Sequence, residues 1–425
     1  MAERVVHPTA GPFAANVEVP GDKSLSHRAL LLAAMARGSS EVRHLGPGSD
    51  VRSTAAAVTA LGARFEGTSL VSPGVDGWVC PSTALDCGNS GTSMRLLAGA
   101  LAGRQFMTDL VGDASLSRRP MERVAVPLRS LGADVETSPD GTPPVRVGGG
   151  NLVGTNVQIA VASAQVRSSF ELAAIQAEGV SEIDGPPGFR DHTERMLESK
   201  GLGERVTRTL FRVLPSAVDA DSYTIPGDPS SAAFLWASAA LIPGAMVTTR
   251  DISLNPGRIG FLEVLSSMGA GVEAEVTRAF HGDPVGTVTV SGAGLHAATL
   301  EGELVVATID ELPLVAVLGV YAEGITRVTG AAELRTKESD RIIATVEMIR
   351  ALGGGAEETE DGFTVVGTGF LVGGGVDSQG DHRMAMAAAV AATMAEKPVT
   401  ILRSESAAVS WPGFYDALET LWSSR

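Results

Sequence analysis

Six apolar segments rich in alanine and leucine recur along the chain, and each follows a short polar turn. The first reads DKSLSHRALLLAAMARG and the last reads GDHRMAMAAAVAATMAEK. A polar turn followed by such a segment predicts a capped helix. The six predicted helices begin roughly 70 residues apart, at Asp22, Asn89, Ser163, Asp228, Ile309 and Gly380.

A second helix is predicted after each of the first five, because the chain then reaches a glycine that can close a last helical turn. These glycines are Gly62, Gly132, Gly201, Gly269 and Gly353, and a final helix is expected near Trp411 to Leu421. Alternating segments such as VRVGG, VTVSG and FTVVG predict strands. Any α/β protein shows some such alternation, but the regular spacing favours six true repeats.

The repeats divide into two groups of three at a recurring segment. Val19-Pro20-Gly21-Asp22 resembles Ile225-Pro226-Gly227-Asp228, and both lead from a predicted strand into a helix. We therefore expect an α/β protein of two domains. Repeats one to three would occupy residues 20–226, and residues 1–19 plus 227–425 would form the other domain. A cleft between the domains is the expected place for a ligand.

Charge and composition exclude several classes of function. The 425 residues carry a net charge of -16, whereas a nucleic-acid-binding protein normally shows a basic surface. The N-terminal sequence lacks a secretory signal, and no apolar segment is long enough to cross a bilayer, so we expect a cytoplasmic protein without a membrane partner. Only two cysteines are present, Cys80 and Cys87.

Sequence motifs for nucleotide hydrolysis, dinucleotide binding and metal hydrolysis are missing from the chain. It has no GxxxxGK[ST] loop, no GxGxxG turn that opens a helix after a strand, and no HxH or HExxH motif. Cys80 and Cys87 belong to no Cys/His cluster with the spacing of metal ligands. We therefore expect none of these three chemistries.

Basic residues cluster at the predicted helix starts of this otherwise acidic chain. A helix N-terminus presents free backbone N–H groups, and an adjacent cation strengthens its attraction for phosphate or carboxylate. Each cation alone could be a solvated surface residue, but their recurrence in several repeats predicts a site for polyanions. The cations are Lys23, Arg28, Arg95, Arg118, Arg119, Arg123, Arg190, Lys337, Arg341 and Arg383.

Three carboxylates and one histidine lie among these cations. A carboxylate held near cations stays ionised and can act as a general base, which makes Asp310 and Glu338 candidates. Asp310 could equally be an acid that stabilises a helix N-terminus, and we interpret Glu311 in that way. His382 is as consistent with capping or packing as with catalysis. Gly91 either allows close approach of a ligand or is an ordinary residue of a helix start.

Nine segments of the chain resemble signatures of the EPSP synthase family of enolpyruvyl transferases, in the usual order. They are VPGDKSLSHRALLLAA, GNSGTSMRLL, SRRPM, ASAQVRSSFELA, RDHTERML, PGDPSSAAF, IDELP, ELRTKESDRI and GDHRMAMA. The resemblance spans nearly the whole chain. It implies a two-domain, inside-out α/β barrel (prism) of six βαβαββ repeats, three per domain.

The resemblance also implies two small-molecule substrates, shikimate 3-phosphate and phosphoenolpyruvate. The reaction that it implies needs neither a metal ion nor an organic cofactor. Asp310, Lys23 and Glu338 would be the catalytic residues. Shikimate 3-phosphate would be bound by Lys23, Ser24, Arg28, Ser163, Ala164, Gln165, Arg190, Asp310 and Lys337. Phosphoenolpyruvate would be bound by Lys23, Gly91, Arg119, Gln165, Arg341 and Arg383. Asp310 would accept the proton of the 5-hydroxyl, and either Lys23 or Glu338 would protonate C3 of the enolpyruvyl group.

The nearest alternative is the sister enzyme that transfers enolpyruvate to UDP-N-acetylglucosamine. Many of its members use a loop cysteine as an acid, but the corresponding segment here, residues 113–119, contains none. An anion-binding repeat protein without catalysis is a second alternative, against which the presence of Lys23, Asp310 and Glu338 argues. We expect a monomer. Some members of the family have a lysine where Val409 stands here. The phosphoenolpyruvate site would therefore be one cation short unless Arg403 supplies it.

Overall fold

The computed structural model describes residues 2–9 and 11–424 of the chain. The chain divides into two compact units. We call the first the N-terminal unit; it consists of Gly21–Pro226 and Ala279–Asp283. The second, the C-terminal unit, consists of Met1–Pro20, Gly227–Arg278 and Pro284–Arg425.

Short strands and helices alternate along the chain. In chain order the strands are β1 Glu3–Val6, β2 Ala14–Val17, β3 Arg37–Arg43, β4 Arg64–Glu66, β5 Ser69–Pro73, β6 Leu85–Asp86, β7 Met107–Val111, β8 Asp134–Glu136, β9 Val145–Gly148, β10 Asn156–Gln158, β11 Ser181–Asp184, β12 Gly203–Arg205, β13 Phe211–Val213, β14 Ser222–Thr224, β15 Met246–Ser253, β16 Gly271–Phe280, β17 Asp283–Ser291, β18 Thr299–Leu300, β19 Ile325–Val328, β20 Gly355–Thr359, β21 Gly362–Val366, β22 Gly374–Asp377 and β23 Val399–Leu402.

The α-helices follow the predicted periodicity. They are α1 Lys23–Met35, α2 Ser49–Ala60, α3 Gly91–Leu101, α4 Glu122–Ser130, α5 Ala164–Ala174, α6 His192–Ser199, α7 Pro229–Leu241, α8 Gly260–Ser267, α9 Glu303–Thr308, α10 Leu312–Tyr321, α11 Arg341–Ala351, α12 His382–Ala391 and α13 Phe414–Ser423. The glycines predicted to close the second helices, Gly62, Gly132, Gly201, Gly269 and Gly353, all have positive φ. That prediction is confirmed.

The strands of the described residues form six small sheets with one recurring topology. The N-terminal unit contains the orders β14-β3-β5-β4, β6-β7-β9-β8 and β10-β11-β13-β12. The C-terminal unit contains β2-β15-β17-β16, β18-β19-β21-β20 and β22-β23-β1. In every sheet the first pair in this order is parallel and the second is antiparallel. The predicted α/β class with six repeated units is confirmed.

The apolar helices lie inside the units. In the N-terminal unit α1, α3 and α5 are buried along almost their whole length, and α3 packs closely on α5. In the C-terminal unit α7, α10 and α12 are buried in the same way. A helix that is apolar on all sides has no face for water, so it must be surrounded by protein. The intervening helices, such as α4, bury one face only.

Side-chain caps fix where several of the inner helices begin. Asp22, Ser90 and Ser163 each accept a hydrogen bond from a backbone N–H in the first turn of α1, α3 and α5, respectively. Asp228 and Asp381 cap α7 and α12 in the same way. Each cap satisfies one of the free N–H groups at the helix start and leaves others available to a ligand. Of the candidate site residues, Lys23, Gly91, Ala164 and Arg383 lie in the first turns of these helices.

Candidate functional site

Lys23 is the first residue of α1 and forms an ion pair inside the N-terminal unit. Its Nζ lies 3.1 Å from Oδ2 of Asp50, in the first turn of α2. The Lys23 side chain is 21% exposed, whereas that of Asp50 is 9% exposed. The carboxylate therefore sits behind the ammonium group and holds it in place, and the cation keeps an accessible face. Ser24 follows in the same helical turn.

Arg28, one turn further along α1, is buried and held by three oxygen atoms. Its Nε donates to Thr193 Oγ1 and its Nη2 to Ser168 Oγ, each at 2.7 Å. Its Nη1 donates to the backbone oxygen of Ser24 at 2.9 Å. Burial lowers the pKa of Arg28, and the carboxylate of Glu194 opposes that effect. The guanidinium group is thus fixed in one orientation.

Gly91 opens α3 between two guanidinium groups. A Cβ at this position would lie 3.0 Å from Nη1 of Arg95 and 3.2 Å from Nη1 of Arg119. Arg119 Nη2 donates to Asn89 Oδ1 at 2.8 Å, which ties it to the same helix start. Because Gly91 has no side chain, both arginines approach the backbone closely. An anion at this helix start would meet two cations and free N–H groups.

The start of α5 joins this cluster through Gln165. Gln165 Nε2 donates to Thr92 Oγ1 at 2.8 Å, and its Oε1 accepts a hydrogen bond from Arg95 Nη1. Ser163 caps α5, and Ala164 is the first residue of that helix. These contacts join the starts of α3 and α5. The side-chain amide of Gln165 therefore lies beside the cations of α3.

Arg190 completes the candidate residues of the N-terminal unit. It is half-buried and lies in the loop between β11 and α6, directly after the buried Phe189. Asp191, the next residue, marks the start of α6. The predicted cations of this unit thus come from four of its six helix starts or the loops before them.

In the C-terminal unit three arginines converge on Asp310, which lies between α9 and α10. The nearest guanidinium nitrogen of Arg341 is 3.2 Å from a carboxylate oxygen of Asp310, that of Arg383 is 3.4 Å away, and that of Arg258 is 3.6 Å away. The Asp310 side chain is 15% exposed, so a ligand can still reach it. A carboxylate in this setting is stabilised as the anion and can accept a proton from a bound hydroxyl group.

Arg341 is the most enclosed of these cations. Its Nε donates to Asp381 Oδ2 at 2.7 Å, and its Nη2 donates to Glu338 Oε2 at 2.6 Å. Burial opposes its charge, but the carboxylates of Asp381, Glu338 and Asp310 more than offset burial and raise the pKa of Arg341. Arg341 is therefore a permanent cation. Glu338 remains 18% exposed beside it.

Lys337 lies in the same cluster, before α11. Its Nζ is 3.9 Å from Glu333 Oε1. Burial lowers the pKa of Lys337, the charge of Arg341 acts in the same direction, and Asp310 and Glu333 oppose them. An incoming anion would favour its charged form.

Glu311 does more than stabilise the start of α10. It accepts a hydrogen bond from Ser230 Oγ and lies 3.4 Å from Arg383 Nη1. Arg383 also donates to the backbone oxygen of Asp310 at 3.1 Å. Our interpretation of Glu311 as a helix N-terminal acid was therefore incomplete, because the buried carboxylate also positions Arg383. His382, the first residue of α12, is buried beside it.

Three residues of these clusters were not predicted from the sequence: Asp50, Arg258 and Asp381. Each acts on a candidate residue that is distant in sequence, as Asp50 does on Lys23. Asp381 lies within the GDHRMAMA segment, of which the sequence analysis named only His382 and Arg383 as candidates. Arg258 follows β15 and the loop of Asn255, Pro256 and Gly257, and its positive charge was the only local signal in the sequence.

The described residues contain no group of three or more His, Cys, Asp or Glu side chains arranged to hold a metal ion. Over the same part of the chain, no helix has the length and apolar character needed to cross a membrane.

Comparison with solved structures defines the class of fold. An enolpyruvyl transferase from Streptomyces tendae superimposes with a TM-score of 0.77 over 98% of this chain and 96% of its own, at 16% identity. An EPSP synthase from Acinetobacter baumannii superimposes with a TM-score of 0.88 over 99% of this chain and 98% of its own, at 37% identity. The chain therefore has the two-domain fold of enolpyruvyl transferases.

Sequence comparison narrows this class to one family. The family model for EPSP synthase (3-phosphoshikimate 1-carboxyvinyltransferase) matches residues 8–418. A protein of Chloroflexus aurantiacus named 3-phosphoshikimate 1-carboxyvinyltransferase is 44% identical to this chain over 413 residues, which cover 95% of both chains. A protein of the same name from Halorhodospira halophila is 45% identical to it over 425 residues, which cover 97% of this chain and 94% of the other. The chain belongs to the EPSP synthase family.

Proposed function

We propose that this chain transfers the enolpyruvyl group of phosphoenolpyruvate to the 5-hydroxyl of shikimate 3-phosphate, releasing phosphate. Family membership over most of the chain supports this activity and favours it over transfer to UDP-N-acetylglucosamine. The observation that carries the mechanism is the convergence of three guanidinium groups on Asp310. We further propose that the enzyme works as a cytoplasmic monomer.

Shikimate 3-phosphate is held by a set of cations and polar groups. They are Lys23, Ser24, Arg28, Ser163, Ala164, Gln165, Arg190, Asp310 and Lys337. The fixed guanidinium group of Arg28 supports this role, because its hydrogen bonds to Ser168 and Thr193 fix its direction before any ligand binds. Preorganised donors lose little entropy when the anion arrives.

Phosphoenolpyruvate is held by a second set of residues, which shares two members with the first. These residues are Lys23, Gly91, Arg119, Gln165, Arg341 and Arg383. Guanidinium groups bind carboxylate and phosphate through directed N–H donors. The hydrogen-bonded placement of Arg119 and of Arg341 supports their assignment.

The reaction proceeds by addition and elimination. Asp310 accepts the proton of the 5-hydroxyl as its oxygen bonds to C2 of phosphoenolpyruvate, while C3 takes a proton from Lys23 or Glu338. C3 then returns a proton to the group that protonated it, the bond from C2 to the phosphate oxygen breaks, and phosphate leaves. The surrounding cations balance negative charge as it moves between the two substrates, so catalysis combines proton transfer with electrostatic stabilisation.

A phosphate-release assay tests the proposed reaction. With both substrates we expect phosphate and the enol ether in equal amounts, and no release when either substrate is omitted. Phosphate release with UDP-N-acetylglucosamine in place of shikimate 3-phosphate would overturn the substrate assignment. Absence of release with any acceptor would favour an anion-binding protein without catalysis.

The substitution Gly91→Ala should selectively weaken the binding of phosphoenolpyruvate. The added methyl group would lie 3.0 Å from Arg95 Nη1 and 3.2 Å from Arg119 Nη1, so both guanidinium groups must shift by a few tenths of an ångström. We expect the KM for phosphoenolpyruvate to rise by about tenfold, with little change in the KM for shikimate 3-phosphate.

Steady-state kinetics with each substrate varied in turn provides the measurement. Gly294→Ala is the matched control, because a Cβ there meets no atom within 4 Å. Equal increases in both KM values for Gly91→Ala would contradict its placement in the phosphoenolpyruvate site.

A further inference from the structure

A buried ionic cluster formed by Arg167, Glu171 and Glu194 lies beneath the candidate residues of the N-terminal unit. We call these three residues the buried ion cluster. Arg167 Nε lies 2.6 Å from Glu194 Oε1 and 3.9 Å from Glu171 Oε1. The three side chains are 0–1% exposed, so none of them can touch a substrate from this position.

Stability alone is a poor explanation for charges at this depth. Removing ions from water is unfavourable, and replacing a buried ion pair by well-packed apolar residues often leaves stability unchanged or increases it. Arg167 and Glu171 lie on the inner helix α5 beside buried apolar residues such as Phe170 and Leu172.

The cluster is connected to Arg28 through adjacent residues on two helices. Arg167 precedes Ser168 on α5, and Glu194 follows Thr193 on α6. Ser168 and Thr193 are the hydroxyl residues that accept hydrogen bonds from Arg28, and their own oxygen atoms lie 2.6 Å apart. The ion pair between Arg167 and Glu194 therefore locks together the two helices that orient Arg28.

A second connection leads to Arg190. The guanidinium group of Arg167 lies over the ring of Phe189, with its central carbon 4.1 Å from the ring centroid. A cation at this distance from the face of an aromatic ring is attracted to the ring. Phe189 immediately precedes Arg190 and is itself buried. The same buried cation thus restrains the loop that carries the other proposed arginine contact to shikimate 3-phosphate.

We propose that the buried ion cluster is a positioning element for shikimate 3-phosphate, which it serves by orienting Arg28 through Ser168 and Thr193 and Arg190 through Phe189. This inference rests on the proposed function, since it assigns the supporting structure of that same site. Arg167 and Glu194 are positioning residues, because they act through groups that touch the ligand.

Glu171 binds a proton more readily than an ordinary glutamate, because its pKa is raised. Burial and the neighbouring carboxylate of Glu194 raise the pKa of Glu171 well above its ordinary value, against the opposing charges of Arg167 and Arg28. These groups belong to α5, α6 and α1. A protonated Glu171 leaves one carboxylate to balance Arg167, so the charge within the buried ion cluster is neutral.

Stability should therefore depend on this proton. At a pH between the ordinary and the raised pKa, the folded chain holds a proton that the unfolded chain has released. Stability from this group is then greatest in acid and falls as pH rises through that interval. Glu171→Gln, which has no proton to lose, should flatten the fall when denaturation midpoints are compared from about pH 5 to about pH 8. Identical pH dependence in both proteins would show that Glu171 holds no such proton.

Calorimetric binding of shikimate 3-phosphate tests the positioning role. We expect Glu194→Gln and Arg167→Met each to weaken binding by about tenfold, with a much smaller change in the KM for phosphoenolpyruvate. Glu171→Gln should bind normally near neutral pH. In an Arg28→Lys background, where the paired donors to Ser168 and Thr193 are already lost, Glu194→Gln should cause less than half of its former change in binding free energy.

Two further variants keep the test decisive if the charge variants do not fold. Thr193→Val and Ser168→Ala remove the connecting hydroxyl groups without changing any charge, and we expect both to weaken shikimate 3-phosphate binding. Ser169→Ala is the matched control, because this buried neighbour on α5 makes no hydrogen bond to Arg28 through its side chain.

Unchanged affinity in folded Glu194→Gln, or an effect of full size in the Arg28→Lys background, would overturn the positioning role. If the hydroxyl variants are the only folded ones, unchanged affinity in both would overturn it as well. Either result leaves the proposed function intact as long as the wild-type protein binds shikimate 3-phosphate. Failure of the wild-type protein to bind it would contradict the proposed function itself.

Discussion

Asp310→Asn should reduce kcat by at least about 100-fold, the usual contribution of a positioned acid–base group. The amide has nearly the shape of the carboxylate but cannot accept the proton of the 5-hydroxyl. It also removes the negative charge on which Arg258, Arg341 and Arg383 converge. Single-turnover kinetics measures the chemical step, and calorimetry should still detect binding of shikimate 3-phosphate.

Asp109→Asn is a suitable control, because this exposed aspartate lies on β7, outside both clusters. It should leave kcat unchanged. Turnover of Asp310→Asn close to that of the wild-type protein would mean that another group takes the proton.

Lys23→Met should weaken the binding of both substrates and slow the reaction. We expect kcat/KM to fall by about 100-fold or more. Lys23 is proposed to contact both anions, and Asp50 holds its ammonium group in place. Methionine keeps much of the length and apolar character of the side chain, so α1 should still fold. Without Lys23, the negative charge of the Asp50 carboxylate would repel incoming anions, and this repulsion adds to the effect.

Initial-rate kinetics with each substrate varied in turn measures this effect, and Lys397→Met at an exposed position is the control. An unchanged KM for phosphoenolpyruvate in Lys23→Met would contradict the placement of Lys23 between the two substrates.

Much of the fold was predictable because it repeats. The helix starts at Lys23, Gly91 and Ala164 follow capping residues that are visible in the sequence. The positive φ of glycines such as Gly62 follows from their place just after a helix. These features are local, so a few neighbouring residues determine them. Their recurrence predicted the order of the helices along the chain, which a single copy could not establish.

The paired partners within the clusters were not predictable in the same way. Asp50 meets Lys23 and Arg258 meets Asp310 only because packed helices and loops bring distant segments together. The sequence shows that such residues are charged, but not which opposite charge each one faces. The roles of the predicted site residues therefore stay predictions, supported by the local geometry of each cluster.

The most direct test of the mechanism is a crystal structure with shikimate 3-phosphate and an unreactive analogue of phosphoenolpyruvate bound. The account predicts a carboxylate oxygen of Asp310 within about 3 Å of the 5-hydroxyl oxygen, with Lys23 in contact with both ligands. A 5-hydroxyl group bound beyond hydrogen-bonding reach of Asp310, with Lys23 in contact with neither ligand, would contradict it.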